Sequence, residues 1–315
     1  MPADPSLSRV GIDVGVGLAE SRQARFSVAD YARAVVQDKI TLLAVVFLVF
    51  LALFSVGAEI LAPFPPTGLN LADRMLPPGA IGSKGAFYLL GTDELGRDLF
   101  SRLIYGARVS VSVGVLGAVV SCALGVTTGL TAGYFGGLYE DIIMRLVDGM
   151  LSLPSLLVAL FVLFVLGGGY VNLILVFSVL HWMVFCRLSR GLALDARSAT
   201  YVQAARTLGA SRLRIVFRHI LPNVMAPIIV LFTLEIAILI LSEASLSFLG
   251  FGVQPPDPSW GLMIADGREH IRSAWWLVTF PGLAIFLTAL SLNLVANWVR
   301  AVTDPVQRWR WLTGH

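Results

Sequence analysis

The chain has 315 residues, of which 57% are hydrophobic and 14% charged, and its mean hydropathy is +0.80. This composition excludes a soluble globular enzyme and indicates an all-α membrane protein, because the apolar residues fall into uninterrupted runs that lipid must cover. The net charge of +3 does not indicate nucleic-acid binding, since the basic residues flank the apolar runs, as topology signals do.

The apolar runs predict six membrane-spanning helices of about 20 residues each. Glycines divide the longer runs, with Gly133 ending the second span near Ala132 and a triplet at 167–169 separating the third span from the fourth. The predicted spans, in chain order, are residues 40–58, 109–132, 142–166, 171–188, 222–241 and 275–299.

An even number of spans places both termini on one side, and the basic residues predict that this side is the cytoplasm. With that orientation, 16 of the 23 Lys and Arg residues lie inside. Residues 1–38 contain no apolar core of the signal-peptide type, so the first apolar run is expected to stay as an anchor. The predicted segments are a partly disordered cytoplasmic tail (1–38), the first span (39–60), an external loop (61–108), a five-helix core (109–300) with a cytoplasmic loop at 189–221, and a cytoplasmic C-terminal tail (301–315).

The cytoplasmic loop between spans four and five contains the most informative pattern. A short helix carries a small face formed by Ala204 and Ala205 and ends at Gly209, and a basic second helix is redirected into the membrane at Pro222. Such a helix can dock into another protein, or it can be a hairpin that only connects two spans.

The spacing of Ala204-Ala205, Gly209 and Leu221-Pro222 resembles the EAA loop of ABC-importer permeases, the cytoplasmic coupling helix that docks on an ATP-binding subunit. Further stretches resemble the C-type subunits of the peptide/nickel (dipeptide and oligopeptide) permease family, and the resemblance extends from about residue 39 to 305. These stretches are GTDELGRD (91–98), AGYFGG (132–137), MRLVD (144–148), FRHILPN (217–223), SLSFLG (245–250) and QPPDPSWG (254–261).

The resemblance implies a type I ABC-importer permease fold in the bacterial inner membrane. It implies pairing with a second, homologous permease, two ATP-binding subunits and an external solute-binding protein. It also implies that the chain itself binds no cofactor, that ATP and Mg are used by the partner subunits, and that the solute is a dipeptide, an oligopeptide, glutathione or nickel.

Residues of the coupling loop take their expected role from the same resemblance. The sequence departs from the family at two places: Gln203 replaces the acid that opens the loop motif, and Asn297-Trp298-Val299-Arg300 replaces a Gly-Leu-Arg-Asp-like turn. The candidate coupling residues are Tyr201, Gln203, Ala204, Ala205, Leu208, Gly209, Ala210 and Arg212.

No catalytic motif is present. A P-loop needs Gly-Lys followed by Ser or Thr, but Lys39 and Lys84 follow Asp38 and Ser83. HExxH and GxSxG are absent, and the two cysteines lie in apolar runs without metal-site spacing, so neither an enzyme nor a metal site is expected. The rival hypothesis, an ion-driven secondary transporter, lacks the pair of broken, charged helices expected of it.

Small residues recur at every fourth position along the second span and form a stripe on one helix face. This stripe predicts close approach of another helix, either as a sliding seam or as static packing. Its members are Gly117, Ser121, Gly125, Gly129 and Gly133.

Three acids are candidates for the pathway or its gate, because charge at membrane depth is costly. Glu235 lies in the middle of span five and is expected to line the cavity or to bond the partner subunit. Glu243 and Asp148 lie near the span ends and fit helix-end or hinge roles. The lone His181 is expected to be a hydrogen-bonded packing residue.

The external loop is predicted to end in an interfacial helix capped by Thr92, with ion pairs Asp93–Arg97 and Asp98–Arg102 four residues apart. Its polar face is a candidate landing surface for a binding protein, or a solvated face without a partner. The candidate docking residues are Asp93, Arg97, Asp98, Asp266 and Arg268.

Overall fold

The structure, a computed structural model, describes residues 35–303. The predicted partly disordered tail lies outside the described residues except for positions 35–38. The predicted C-terminal tail likewise lies outside them from residue 304 onward.

The described chain is mostly helical. A small antiparallel hairpin pairs β1 (Ala80–Ile81) with β2 (Phe87–Tyr88), and single helical turns lie at Leu71–Asp73, Ile215–Ile220 and Arg268–His270. The α-helices are α1 (Lys39–Val56), α2 (Ala58–Leu61), α3 (Leu99–Phe135), α4 (Gly137–Leu151), α5 (Ser155–Leu166), α6 (Tyr170–Ala196), α7 (Thr200–Thr207), α8 (Arg212–Arg214), α9 (Leu221–Asn223), α10 (Met225–Phe248), α11 (Trp260–Gly267) and α12 (Trp276–Thr303).

Five of these helices, α1, α3, α6, α10 and α12, are long and apolar enough to cross a membrane. The pair α4 and α5 passes the same test only when taken together, and because the two helices meet at an angle of 86° they form either a broken sixth span or a re-entrant segment. The predicted all-α membrane fold is therefore confirmed, whereas a continuous third span over 142–166 is wrong. Pro154, which has no N–H to donate, stands directly before α5 and interrupts the helical hydrogen bonds there.

Several predicted span boundaries are also wrong, because an apolar run marks only the lipid-facing part of a helix. The helix α3 begins at Leu99 rather than at 109, since the Asp98 carboxylate accepts the Ser101 N–H at 2.8 Å and caps it. The helix α6 continues past 188 to Ala196, and α10 runs from Met225 to Phe248 instead of from 222 to 241.

The core of the bundle lies where α3 packs along α6, with α10 against α3 and α12. The helix α1 lies at the edge against α12 and α3 and buries only Thr41 and Ala44. A second apolar cluster is formed by the C-terminal parts of α3 and α6 and the residues around α7, and it packs the loop that precedes α10 against these helices. The loop is thus packed onto the bundle instead of hanging from it.

Candidate coupling and transport site

The stripe of small residues lies in the contact between α3 and α6, as predicted. A Cβ added to Gly125, Gly129 or Gly133 would come within 3.0 Å of backbone atoms of α6, and Ser121 Oγ donates to the Phe177 carbonyl at 3.2 Å. Gly117 instead faces both α6 and the side chain of Leu239 on α10. Close approach is confirmed, and sliding along this contact stays a prediction.

The short helix α7 presents an apolar face to the solvent. Tyr201, Ala204 and Leu208 are three or four residues apart and exposed, with 87% of Leu208 accessible. Val202 and Ala205 point the other way and are buried. The expectation that Ala204 and Ala205 share one exposed face is therefore wrong, because consecutive helical residues are about 100° apart.

The chain after α7 turns through Gly209, whose φ of +77° is a conformation that glycine adopts without strain. The N–H of Ala210 donates to the Ala205 carbonyl at 3.1 Å and closes the helix end. The side-chain amide of Gln203 donates to the Ser198 carbonyl at 3.0 Å, so it forms a hydrogen bond within the same loop. Arg212 is exposed.

The mid-span carboxylate Glu235 is buried and accepts its hydrogen bond from inside the same chain. Its Oε2 lies 2.8 Å from His181 Nδ1 and joins α10 to α6. The expectation that Glu235 lines the cavity is wrong for this conformation, since the residue is only 3% exposed, and the hydrogen bond is made to His181 of the same chain. His181 is the hydrogen-bonded packing residue that was predicted.

Glu243 is fully buried, inside α10 and five residues before its last residue. Ser110 Oγ donates to it at 2.8 Å and Ser247 Oγ at 2.6 Å, which ties α10 to α3. The helix-end position expected for this residue is wrong, because α10 continues beyond the predicted span. Glu243 acts as a polar cross-link within the subunit.

Asp148 and Arg187 form an exposed ion pair between α4 and α6. Arg187 also lines a groove of about 710 Å³ between α4, α6, α10 and α12, and Arg300 is a second basic residue in its lining. The rest of the groove is largely apolar. Sequence reasoning missed this groove because its walls come from four separate helices; the only local signal was a charged residue near the end of two apolar runs. The groove is lined by Leu151, Val184, Arg187, Leu188, Ala226, Pro227, Val230, Leu231, Leu234, Arg300 and Thr303.

The predicted interfacial helix begins at Leu99 as the first part of α3, so its expected start after Thr92 is wrong. Thr92 pairs with Asp98 as an isolated β-bridge, and the segment between them is a tight loop whose Asp93 carboxylate accepts the N–H groups of Leu95 and Arg97, both at 2.9 Å. Thr92 caps no helix, because its hydroxyl donates to the Asp73 carbonyl at 2.5 Å. Asp98 caps α3 instead.

The charged residues of this loop are turned inward. Asp93 bonds Arg97 at 2.7 Å and also Arg102, and Asp266 lies 3.5 Å from Arg102 across the contact with α11. Asp93 and Asp98 are each 3% exposed, so they cannot form a landing surface. The Asp93–Arg97 pair is confirmed, whereas the expected Asp98–Arg102 pair is wrong.

The two remaining docking candidates lie nearer the surface. Asp266 is partly buried, and burial raises the pKa of its carboxyl while Arg102 and Arg97 oppose that shift. Arg268 is exposed and lies over the Phe248 ring, 5.4 Å from its centroid. Burial also raises the pKa of Asp98. Only Arg268 is open enough to meet a partner directly.

Asp73, which sequence reasoning missed, organises the external loop. Its carboxylate accepts the Ser83 N–H at 2.7 Å, the Asn70 amide at 2.7 Å and the Tyr88 hydroxyl at 3.1 Å. The Ser83 N–H, followed by the side-chain donors, holds the pKa of Asp73 below its ordinary value. The short, turn-rich sequence around β1 and β2 was the available signal for a buried acceptor.

The sequence of this chain matches a known protein family and is similar to several transport proteins. The family described as "Binding-protein-dependent transport system inner membrane component" matches residues 125–309. A di/tripeptide transport system permease protein of Pseudomonas aeruginosa is 43% identical over 264 residues, which cover 84% of this chain and 86% of that protein. A probable D,D-dipeptide transport system permease protein of Escherichia coli is 38% identical over 90% of this chain and 93% of its own length. A glutathione transport system permease protein of Pectobacterium atrosepticum is 37% identical over 88% of this chain and 90% of its own length.

Proposed function

This chain belongs to the family of binding-protein-dependent transport system inner membrane components, and from that premise we propose that it forms half of the translocation pathway of an ATP-driven peptide importer. An external binding protein delivers the peptide, a second permease forms the other half of the pathway, and two ATP-binding subunits dock on the cytoplasmic side. The peptide substrate is supported by the names of the relatives, which transport di- and tripeptides, D,D-dipeptides or glutathione.

The observation that carries the coupling role is the exposed apolar face of α7. Leu208 is an almost fully accessible leucine at the end of a helix that is otherwise held against the bundle by Val202 and Ala205. An exposed apolar side chain on a rigid support fits a socket on a partner protein. We infer that ATP-driven closure of the partner subunits moves α7 and, through its packed side, the helices α3 and α6.

The test is uptake of a labelled dipeptide by proteoliposomes that contain the complete transporter, with its binding protein outside and ATP inside. Leu208→Glu is expected to lower uptake at least about tenfold, because it places a charge in an apolar contact. Thr207→Glu, on a neighbouring exposed position that is about 100° away on α7, should keep most of the activity. Full uptake by the Leu208→Glu transporter would contradict the coupling role.

The groove of about 710 Å³ supplies the candidate pathway in this subunit. Its apolar walls suit side chains of varied peptides, and Arg300 in its lining suits a peptide carboxylate, whereas Arg187 already pairs with Asp148. Ala226→Phe narrows the groove, so uptake should fall while ATP hydrolysis continues. Ile229→Phe, one turn along α10 and outside the groove lining, is the matched control. Equal uptake by the two variants would place the pathway elsewhere.

A further inference from the structure

A second cavity, which is polar and has a volume of about 480 Å³, lies between the end of α3 and the chain that follows α7. Tyr134 and Phe135 form its wall on the α3 side, and Arg206, Ser211 and Arg212 form the opposite wall. Its polar groups are therefore two guanidinium groups and two hydroxyl groups. Within residues 35–303, no carboxylate lines this cavity.

The positive charge of the cavity exceeds what the local structure neutralises. Arg206 lies over the Tyr134 ring, with its Cζ 5.9 Å from the ring centroid, and its Nη2 is 3.4 Å from the Tyr134 hydroxyl. The C-terminal end of α3 carries a partial charge of about −0.5, which offsets only part of one guanidinium. Among the described residues, neither Arg206 nor Arg212 pairs with a carboxylate, and Glu140 is already bonded to Arg190 at 2.6 Å. The remaining charge favours an anion.

A bilayer that covers the charge-free part of α3 would have its headgroups at the level of this cavity. The segment of α3 from Val109 to Phe135 carries no charged side chain and, at a rise of about 1.5 Å per residue, is about 40 Å long. That length matches a bilayer including its headgroup regions, about 40–45 Å. Aromatic residues such as Tyr134 and Phe135 are typical of this interface.

Exposed apolar side chains follow Phe135, a lining residue of the cavity, closely in the chain. Leu138 and Tyr139, in the first turn of α4, are 76% and 43% exposed. An anionic group in the cavity can therefore continue into acyl chains that lie along α4. A free ion would use only the polar wall, whereas a lipid would use both surfaces.

We propose that this cavity binds the phosphate of an anionic phospholipid in the membrane leaflet that faces the coupling loop. The headgroup contacts Arg206 and Arg212, and the acyl chains cover Leu138 and Tyr139. The bound lipid would fix α7 to the end of α3 and so steady the coupling face. The inference uses the proposed function only for the orientation of the loop toward the cytoplasm, where anionic headgroups attract basic segments.

The test measures lipid retention by the complete transporter with its partner subunits. The purified complex is titrated with phosphatidylglycerol or phosphatidylcholine, and bound lipid is counted by native mass spectrometry. Phosphatidylglycerol should bind, and Arg206→Gln with Arg212→Gln should weaken its binding at least about tenfold. Arg214→Gln removes a nearby charge that does not line the cavity and should leave lipid binding unchanged.

Further measurements separate the alternatives. Since Arg206 contacts Tyr134, the single variant Arg212→Gln repeats the test without disturbing that contact. Retention of phosphatidylglycerol by all variants, or equal binding of phosphatidylcholine, would overturn the proposal. If inorganic phosphate saturates the cavity and no lipid binds, the ligand is a free anion and the lipid proposal is wrong. If position 212 cross-links to an ATP-binding subunit and no lipid is bound, the cavity is a contact with that subunit, which also contradicts the proposal. Absence of peptide uptake by the unaltered transporter, with phosphatidylglycerol binding intact, would contradict the proposed function and leave this inference standing.

Discussion

Gly125 and Gly129 leave no room for a side chain where α3 meets α6. We predict that Gly125→Leu prevents assembly or transport and that even Gly125→Ala destabilises the fold by about 1–3 kcal/mol, because a methyl group would overlap the α6 backbone. The midpoint of thermal unfolding of the purified transporter measures this. Gly191→Ala, in α6 with open space around the added methyl, is the control and should be neutral or slightly stabilising. An unchanged midpoint of thermal unfolding in Gly125→Ala would contradict the close contact between α3 and α6.

Asp73 links pH to the order of the external loop. Because its pKa in the folded chain is lowered, its stabilising contribution is fully present above its ordinary pKa, near 3.8, and is lost as the pH falls through the lower folded value. Limited proteolysis of proteoliposomes from the outside should therefore cut the loop faster below about pH 4. Asp73→Asn should give faster cutting even at pH 7, since an amide cannot accept all three hydrogen bonds. Unchanged cutting in that variant would contradict the role of the carboxylate.

The sequence predicts the contacts of some of these residues and not of others, and the difference has a physical reason. The stripe that contains Gly125 repeats every four residues on one helix, so its shared face follows from helix geometry alone. The donors to Asp73 come from an irregular loop, and their convergence depends on turns at positions such as Gly96, whose φ is +72°. Glu235 and His181 are each recognisable as intramembrane polar residues, but their pairing depends on how α6 and α10 pack.

At the scale of helices, the pair His181–Glu235 joins α6 to α10 inside the bundle. Polar pairs in membranes contribute about 0.6–2 kcal/mol, because the unfolded chain also finds partners. We predict that a double-mutant cycle of His181→Phe and Glu235→Gln, measured by unfolding in detergent, gives a coupling energy in this range. Thr233→Val, on the exposed side of α10, should show no coupling to His181→Phe. A coupling energy near zero would indicate that the two side chains separate in the detergent-solubilised state.

Hydropathy locates the membrane helices well and their ends poorly. The helix α3 has 37 residues because Asp98 caps it outside the membrane and Gly136, with a φ of +69°, ends it at the other side. Neither signal is apolar, so a search for apolar runs passes over both. The break between α4 and α5 follows the same logic, since Pro154 stops the helical hydrogen bonds without interrupting the apolar run.

Across the whole molecule, several buried polar contacts lie toward the end of the bundle that carries the loop between α2 and α3. The external loop is held by Asp73 and by the ion pairs of Asp93, and Glu243 ties α10 to α3. The groove and the exposed face of α7 lie at the opposite end of the bundle. We therefore expect a movement of α7 to reach the groove through α3 and α6, on which its buried side is packed.

The orientation of this arrangement can be tested with two cysteines. After Cys122→Ala and Cys186→Ala, Lys84→Cys places a thiol on an exposed part of the external loop and Leu208→Cys places one on α7. A membrane-impermeant maleimide should label position 84 in intact spheroplasts and position 208 only after the membrane is opened. Bound ATP-binding subunits should reduce labelling at 208 several-fold, because the apolar face is then covered, and leave position 84 unchanged. Reversed labelling would contradict the cytoplasmic placement of α7, and unprotected labelling at 208 in the assembled transporter would contradict its role as the coupling contact.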